Sequence, residues 1–432
     1  MSPFIHRRIM ELAKIDGTYE LFDIKPERLR DEVPLLMREL DGFNCTIPHK
    51  EKLAEILNAL FPVNTFFRGK GFNTDCAGFR TCGIDFSGME VVILGAGGTA
   101  RMMQEECQRA GAKSVTMCTR KMIMECGDLS PLSGGDLSPC VGTTFINTAA
   151  SRLGKAAINR RTPDILLNAT PLGMWPCAWK MPPVTSLLRP GVDVFDAVYN
   201  PFPTRLVLNA RKHGARATGG LRMLVRQAIE AQKIWNPEKS FDTAVLESKI
   251  LPLVSRELLR HSPVHFALTG FMGAGKSSLA KEIAGRLGIA CVDVDAEIEA
   301  RTGRDIARIF RRDGEAAFRK IESETVADIL RRGTSSVVAT GGGLPVSDEN
   351  QKLIRETNTF VLHLDVPFET LWQRAGVDTE TRPLLKNERQ ARALHDERRP
   401  VYLAFCDFSF DATQPLSQLA AGVIARLTHT GD

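Results

Sequence analysis

Apolar, β-branched runs recur along the chain, each followed by a small-residue turn and then by residues with helical spacing. In the first half, Glu90–Leu94, Ser114–Cys118, Ile165–Asn168 and Val192–Ala197 read as strands. The helical patterns between them predict a parallel α/β sheet that begins near residue 85. Ahead of it, the segment Tyr19–Ile24, a helix over Glu27–Leu40 and a strand over Asn44–Ile47 predict a separate small α/β lobe. Trp235–Pro263 holds Pro237, Pro252 and Pro263 around a helical pattern from Asp242 to Leu259 and reads as a connection. Another apolar run, starting at His265, opens a second α/β series. The expected organisation is a lobe over 1–84, a dinucleotide-type domain over 85–236, a linker over 237–262 and a mononucleotide-type domain over 263–432. The near-repeat of Gly127–Pro131 at Gly135–Pro139 suits a surface loop and is given no chemistry.

Composition changes this picture little. Of 432 residues, 25% are charged and 43% hydrophobic, which suits full globular cores and excludes disordered or collagen-like classes. The net charge of +5 is spread without dense Lys/Arg runs, so neither a nucleic-acid arm nor a membrane patch is expected. No apolar stretch of about 18 residues is present, and Met1–Met10 lacks a following apolar region of the signal-peptide type. Ten cysteines without a CxxC pair indicate neither a disulfide framework nor a zinc site. A cytoplasmic, small-molecule protein is expected.

Two glycine loops carry the candidate chemistry. In Val91–Ala100, Gly95, Gly97 and Gly98 follow a strand and precede a helix, the Rossmann-type context in which a backbone approaches a pyrophosphate. The next strand ends in Thr119, Arg120 and Lys121 rather than in an acid, which suits a 2′-phosphate and favours NADP over NAD. In His265–Ser278, Gly270, Gly273, Gly275, Lys276, Ser277 and Ser278 match the P-loop pattern. Its backbone N–H groups wrap phosphates, its Lys reaches the β and γ oxygens, and Ser277 is placed to ligate Mg²⁺.

Asn44-x-Thr46-x-Pro48-x-Lys50 and Asn73-Thr74-Asp75-x-x-Gly78 make residues 2 to about 235 resemble the shikimate dehydrogenases. Further matches are Ser2 with Pro3 and His6, Asn64-Thr65, Asn168-Ala169-Thr170, Asp196–Asn200 and Gln227. The resemblance implies that Lys50 and Asp75 form a dyad at the substrate hydroxyl or ketone, with Lys50 assisting proton transfer as hydride moves between nicotinamide and ring. It also implies that Ser2, Thr46, Asn73 and Gln227 bind substrate, and that Asn168 and Thr170 line the cofactor side. The chain departs from the pattern in starting inside the serine motif, in Thr119 and Met124, and in Arg222, where glycine is usual beside the nicotinamide. The expectation drawn is a start upstream of Met1 or an impaired dehydrogenase half.

Behind the P-loop come Asp293-Val-Asp295, Arg301-Thr-Gly303, Glu315–Glu322 with Arg319, Gly341-Gly342-Gly343, Arg382-Pro-Leu-Leu385 and Arg398-x-Pro400-x-Tyr402. In order and spacing, residues 264–432 resemble the shikimate kinases. Two carboxylates two apart at a strand end point the same way, one toward the metal and one toward the acceptor hydroxyl. The resemblance gives Asp293 the Mg²⁺ and Asp295 the 3-hydroxyl. Arg319 and Arg398 would clamp the substrate carboxylate, and Gly341, Gly342 and Gly343 would admit the ring. Arg382 would act from a lid on the transferring phosphoryl group, and Arg374 would lie on adenine.

The product implied for the first half is the substrate implied for the second. The expected protein is a bifunctional enzyme that uses NADP(H), ATP and Mg²⁺ and acts on 3-dehydroshikimate and shikimate. Quinate as the dehydrogenase substrate, a kinase carrying a non-catalytic dehydrogenase module, and a P-loop switch protein remain the rival readings.

Overall fold

A computed structural model of the protein describes residues 1–46, 49–59, 61–118, 163–375 and 387–428. The glycine-serine near-repeat lies outside them. The first lobe comprises α1 (Ser2–Ala13), α2 (Leu29–Glu39), β1 (Gly42–Asn44), α3 (Lys50–Ile56), β2 (Thr65–Phe67), β3 (Lys70–Phe72) and α4 (Thr74–Phe79). Its strands are antiparallel in the order β1-β2-β3, with Asn44 opposite Thr65 and Thr65 opposite Phe72. Leu29, Val33, Leu53 and Val63 close a small core beneath them.

The segment Tyr19–Ile24 forms no strand. A strand needs a ladder partner for its N–H and C=O groups, and among the described residues none pairs with this segment. Leu21 and Phe22 stand 77% and 51% exposed as a result. Tyr19 is held by its side chain instead, stacked at 4.2 Å on His6 and donating its hydroxyl to Asn44 Oδ1 at 3.1 Å. The neighbouring strand is shorter and earlier than expected, Gly42–Asn44 in place of Asn44–Ile47.

The second unit contains β4 (Glu90–Leu94), α5 (Gly98–Arg109), β5 (Ser114–Cys118), β6 (Ile165–Asn168), β7 (Asp193–Asp196), α6 (Arg205–Lys212), β8 (Arg216–Gly219) and α7 (Leu221–Trp235). All five strands run parallel in the order β5-β4-β6-β7-β8. The order reverses at β4, so the Gly95–Gly98 turn sits in the crevice that such sheets open for ligands. Every residue of β6 is buried, as a central strand covered on both faces requires.

The connection is a packed helix, α8 (Thr243–His261), capped by Asp242, which accepts from the Val245 amide at 3.0 Å. Its Leu246, Ile250, Val254 and Leu258 pack with Ile5 and Ile9 of α1 and with Leu221, Val225 and Ile229 of α7. The segment is therefore integral to the first half's core.

The last unit runs β9 (His265–Thr269), α9 (Lys276–Leu287), β10 (Ala290–Asp293), α10 (Val294–Thr302), α11 (Ile306–Leu330, kinked at Gly314), β11 (Ser336–Ala339), α12 (Asp348–Arg355), β12 (Thr359–Asp365), α13 (Phe368–Ala375), α14 (Glu388–Phe405), β13 (Phe408–Asp411) and α15 (Leu416–Thr428). Its sheet is parallel in the order β10-β11-β9-β12-β13, with the P-loop leaving the central β9. The chain is α/β throughout, a small lobe and a Rossmann-type sheet followed by a P-loop domain. No helix among the described residues is long and apolar enough to cross a membrane, and the cysteines among them are all free thiols.

Candidate active sites

In the first half, Lys50 opens α3 and Asp75 lies in the first turn of α4, and the two meet with Nζ 2.5 Å from Oδ2. Asn73 caps α4, its side chain accepting from the Asp75 amide at 3.1 Å, which fixes where the carboxylate starts from the backbone. Asn64 supplies the rest. Its Nδ2 donates to Asp75 Oδ1 at 3.0 Å while its Oδ1 accepts from the Thr74 amide at 2.8 Å. Asn64, Thr65 and Thr74 are buried, so the carboxylate rests on a satisfied polar network, while Lys50 and Asp75 keep 24% and 17% of their side-chain surface. Gln227 reaches the same group through Thr74, 3.4 Å away. Thr46 has an exposed side chain just past β1, and Ser2 starts α1, half-buried.

Across the cleft, Gly95 has φ +119, a conformation that disfavours any side chain, and a Cβ there would press on the Ala169 carbonyl. Gly97 caps α5 with open space in front of it, and Gly98 begins the helix, so a pyrophosphate can approach the amides of the first turn. Glu51 of α3 and Arg101 of α5 join lobe to sheet at 2.9 Å. Asn168 is committed internally. It donates to Asp196 Oδ1 at 2.8 Å and accepts from the Thr170 amide and hydroxyl at 3.1 and 2.6 Å. Asp196 also accepts from the Val198 amide and from Thr204, but complete burial pushes its carboxyl up to about 6 against those bonds. Thr119, Arg120 and Lys121 lie outside the described residues. Arg222 pairs with Glu247 of α8, which also takes Arg226 at 2.5 Å. Its charge is thereby held by the connecting helix.

In the second half, Lys276 donates to the carbonyls of Gly270 and Phe271 at 2.9 and 3.1 Å, folded over its own loop. Ser277 donates to Asp293 Oδ2 at 2.6 Å. Strand alternation does not set the two aspartates. Asp293 ends β10 and caps α10, its Oδ1 accepting from the Asp295 and Ala296 amides at 3.1 and 3.4 Å, and Asp295 therefore sits in the helix's first turn. The cap overrides the expected pleat because a carboxylate at that position satisfies amides that a helix start leaves open. Protein atoms crowding Asp295, and then the Asp293 charge, push its carboxyl above the ordinary range, although its surface stays open to solvent.

Facing Asp295 is a cluster of opposite charges. Arg319 pairs with the fully buried Glu322 at 2.8 Å and with Glu315 at 3.1 Å. Arg398 is 9% exposed and hydrogen-bonds Tyr402, whose hydroxyl donates to the Gly342 carbonyl. Two of the three glycines are close-packed by these side chains: a Cβ on Gly341 would overlap Glu322 and one on Gly343 the Arg319 guanidinium, whereas one on Gly342 would meet only ordinary contacts. Ser277 and Asp293 offer a hydroxyl and a carboxylate oxygen, a donor set that fits Mg²⁺ sharing its remaining positions with water and phosphate. Arg374 donates to the Ala412 carbonyl at 3.1 Å, and Arg382 lies outside the described residues. Asn64, Glu322 and Tyr402 carry structural work that the motifs contain without assigning. Only their position beside the assigned residues signalled it.

Two family models match the chain, the shikimate dehydrogenase substrate-binding domain over residues 1–63 and shikimate kinase over residues 272–428. The shikimate dehydrogenase (NADP(+)) of Moorella thermoacetica is 34% identical over 253 residues, covering 54% of this chain and 83% of the relative. The shikimate kinase of Persephonella marina is 43% identical over 136 residues, covering 31% of this chain and 81% of the relative. A solved shikimate kinase from Acinetobacter baumannii in complex with shikimate is 31% identical, covering 38% of this chain and 93% of that one, with a TM-score of 0.36. The chain thus belongs to two families at once, the shikimate dehydrogenases through its first half and the shikimate kinases through its second.

Proposed function

We propose that the chain is a bifunctional, cytoplasmic enzyme. Its first half reduces 3-dehydroshikimate to shikimate with NADPH, and its second half phosphorylates shikimate at the 3-hydroxyl with ATP and Mg²⁺. What carries the reading is that one chain holds both the Lys50–Asp75 pair and the Ser277–Asp293 pair facing Asp295, Arg319 and Arg398. In the first site NADPH supplies the hydride. Lys50 donates the proton that the ring oxygen needs, held in place by Asp75, and Asn73 and Gln227 bind the ring's polar groups, with Ser2 and Thr46 at the rim. Preference for NADP follows Arg120 and Lys121 in the sequence and the name of the Moorella relative.

In the second site ATP and Mg²⁺ supply the phosphoryl group and its charge neutralisation. Lys276 leaves its loop carbonyls for the β and γ oxygens, while the amides of Gly273, Gly275 and Ser278 wrap the phosphates and Ser277 and Asp293 hold the metal. Asp295 orients the acceptor hydroxyl and takes its proton. Arg319 and Arg398 bind the shikimate carboxylate over the floor formed by Gly341, Gly342 and Gly343. Arg374 is assigned to the adenine side and Arg382 to the transferring group.

The test is NADP⁺ reduction with shikimate and shikimate-dependent ADP release, measured on one sample beside Lys50→Ala. Losing a positioned proton donor should slow the first reaction by about 10²–10⁴-fold and leave the second unchanged. ADP release without NADP⁺ reduction by the parent chain would instead make the first half a binding module.

A further inference from the structure

We propose that Lys212, in the dehydrogenase half, is a positioning residue for substrate binding in the kinase half. The proposal rests on the assignment of Arg398 to the shikimate carboxylate. Helix α6 lies between the halves. Thr204 caps its start, accepting from the Val207 amide at 3.3 Å and donating to Asp196 at 2.6 Å. Leu208, in its middle, is 3% exposed and belongs to the kinase core with Phe266 and Phe360.

At its end, Lys212 Nζ crosses to the end of α14 and donates to the carbonyls of Ala404 and Cys406, both at 3.0 Å, and of Leu403 at 3.4 Å. The last carbonyls of a helix have no partner within it and carry the negative end of its dipole, so an ammonium there both satisfies and neutralises them. The cation that completes this kinase helix comes from the other enzyme.

Helix α14 is interrupted within and gains from outside support. Pro400 lies inside it, between Arg398 and Tyr402, and removes a backbone bond at that turn. The segment beyond the proline carries Tyr402, which hydrogen-bonds both Arg398 and the Gly342 carbonyl. A second tie fixes the chain just past the helix. Arg205 of α6 pairs with Asp407 at 3.1 Å, and Asp407 accepts from the Val361 amide of β12 at 2.8 Å. These contacts lie at the start of β12, on the side of the sheet away from the P-loop. Docking therefore leaves the kinase mouth open and acts from behind it.

The experiment compares the full chain with Lys212→Met and Lys212→Arg. A cavity of about 260 Å³ between the halves, lined by Trp179, Asn209 and Arg355 beside Lys212, has room for the larger guanidinium. Lys212→Met should raise the shikimate KM of ADP release about three- to fivefold, the scale of a lost helix-end charge. The KM for ATP and the rate of NADP⁺ reduction should hold, and Lys212→Arg should restore the shikimate KM. An unchanged shikimate KM in Lys212→Met, or a parallel rise in the ATP KM, overturns the proposal. Arg398→Ala run alongside separates the two layers. If it leaves the shikimate KM unchanged, the substrate assignment falls and takes this inference with it. If it raises that KM while Lys212→Met does not, only the role of Lys212 falls.

Discussion

Asp295 combines an open surface with a carboxyl pushed up by its surroundings, and both properties bear on the role proposed for it, taking a proton from a hydroxyl. Its working form is the carboxylate. Because the pKa is raised, that form is lost on the acid side at a pH above the ordinary aspartate value of 3.8. The kcat of shikimate-dependent ADP release should therefore fall with pH on a limb lying above that value. A limb at the ordinary value would remove Asp295 as its origin. Lys50 and Asp75 were legible from two short motifs, and both side chains start in the first turn of a helix, a local placement. Asn64, which holds Asp75 from eleven residues upstream, was quoted with the motif but not assigned, since its role depends on β2 and α4 meeting in space.

At the scale of the element, the turn from β11 into α12 shows how backbone closeness is enforced by side chains elsewhere. Gly343 lies against the guanidinium of Arg319 from α11, so Gly343→Ala must displace that group. The displaced atoms are the far end of a flexible side chain, the one that in the proposed function binds the shikimate carboxylate. The expected result is a raised shikimate KM for ADP release with NADP⁺ reduction unaltered, and an unchanged KM would show that Arg319 can move aside freely. Helix caps were decisive elsewhere. Asp293 starts α10 one residue after itself and so moves Asp295 off the strand on which spacing alone had placed it. Tyr19–Ile24 has strand composition but no ladder partner among the described residues, and composition without a partner does not make a strand.

For the whole molecule, buried neutral histidines contribute a loss of stability in acid, partly offset by Asp196, whose raised carboxyl acts with the opposite sign. Burial lowers His6 to about 3 and His265 to about 4 from 6.5. Because these folded-state values lie below the unfolded one, the unfolded chain binds the proton first. Stability is then complete above pH 6.5 and is lost as pH falls toward those lower values. At pH 5 the His6 share is on the order of 2 kcal/mol. The thermal midpoint should drop between about pH 7.5 and 5, and His6→Gln should drop less over the same interval. Equal drops would assign the acid loss to other groups.

The sequence by itself determined the two nucleotide-type loops, the α/β class and the paired families, and it named the candidate groups for binding and reaction. Each of these is written in a short stretch, where glycine conformation, cap chemistry and the strand-turn-helix pattern act over a few residues. Tertiary structure alone decided that the connecting helix packs into the first half's core, that Arg222 is held by Glu247, and that Lys212 reaches the end of a helix of the other half. Those outcomes depend on which surfaces meet across long separations, and a burial or a charge pair of that kind leaves no periodic trace in the residues that make it.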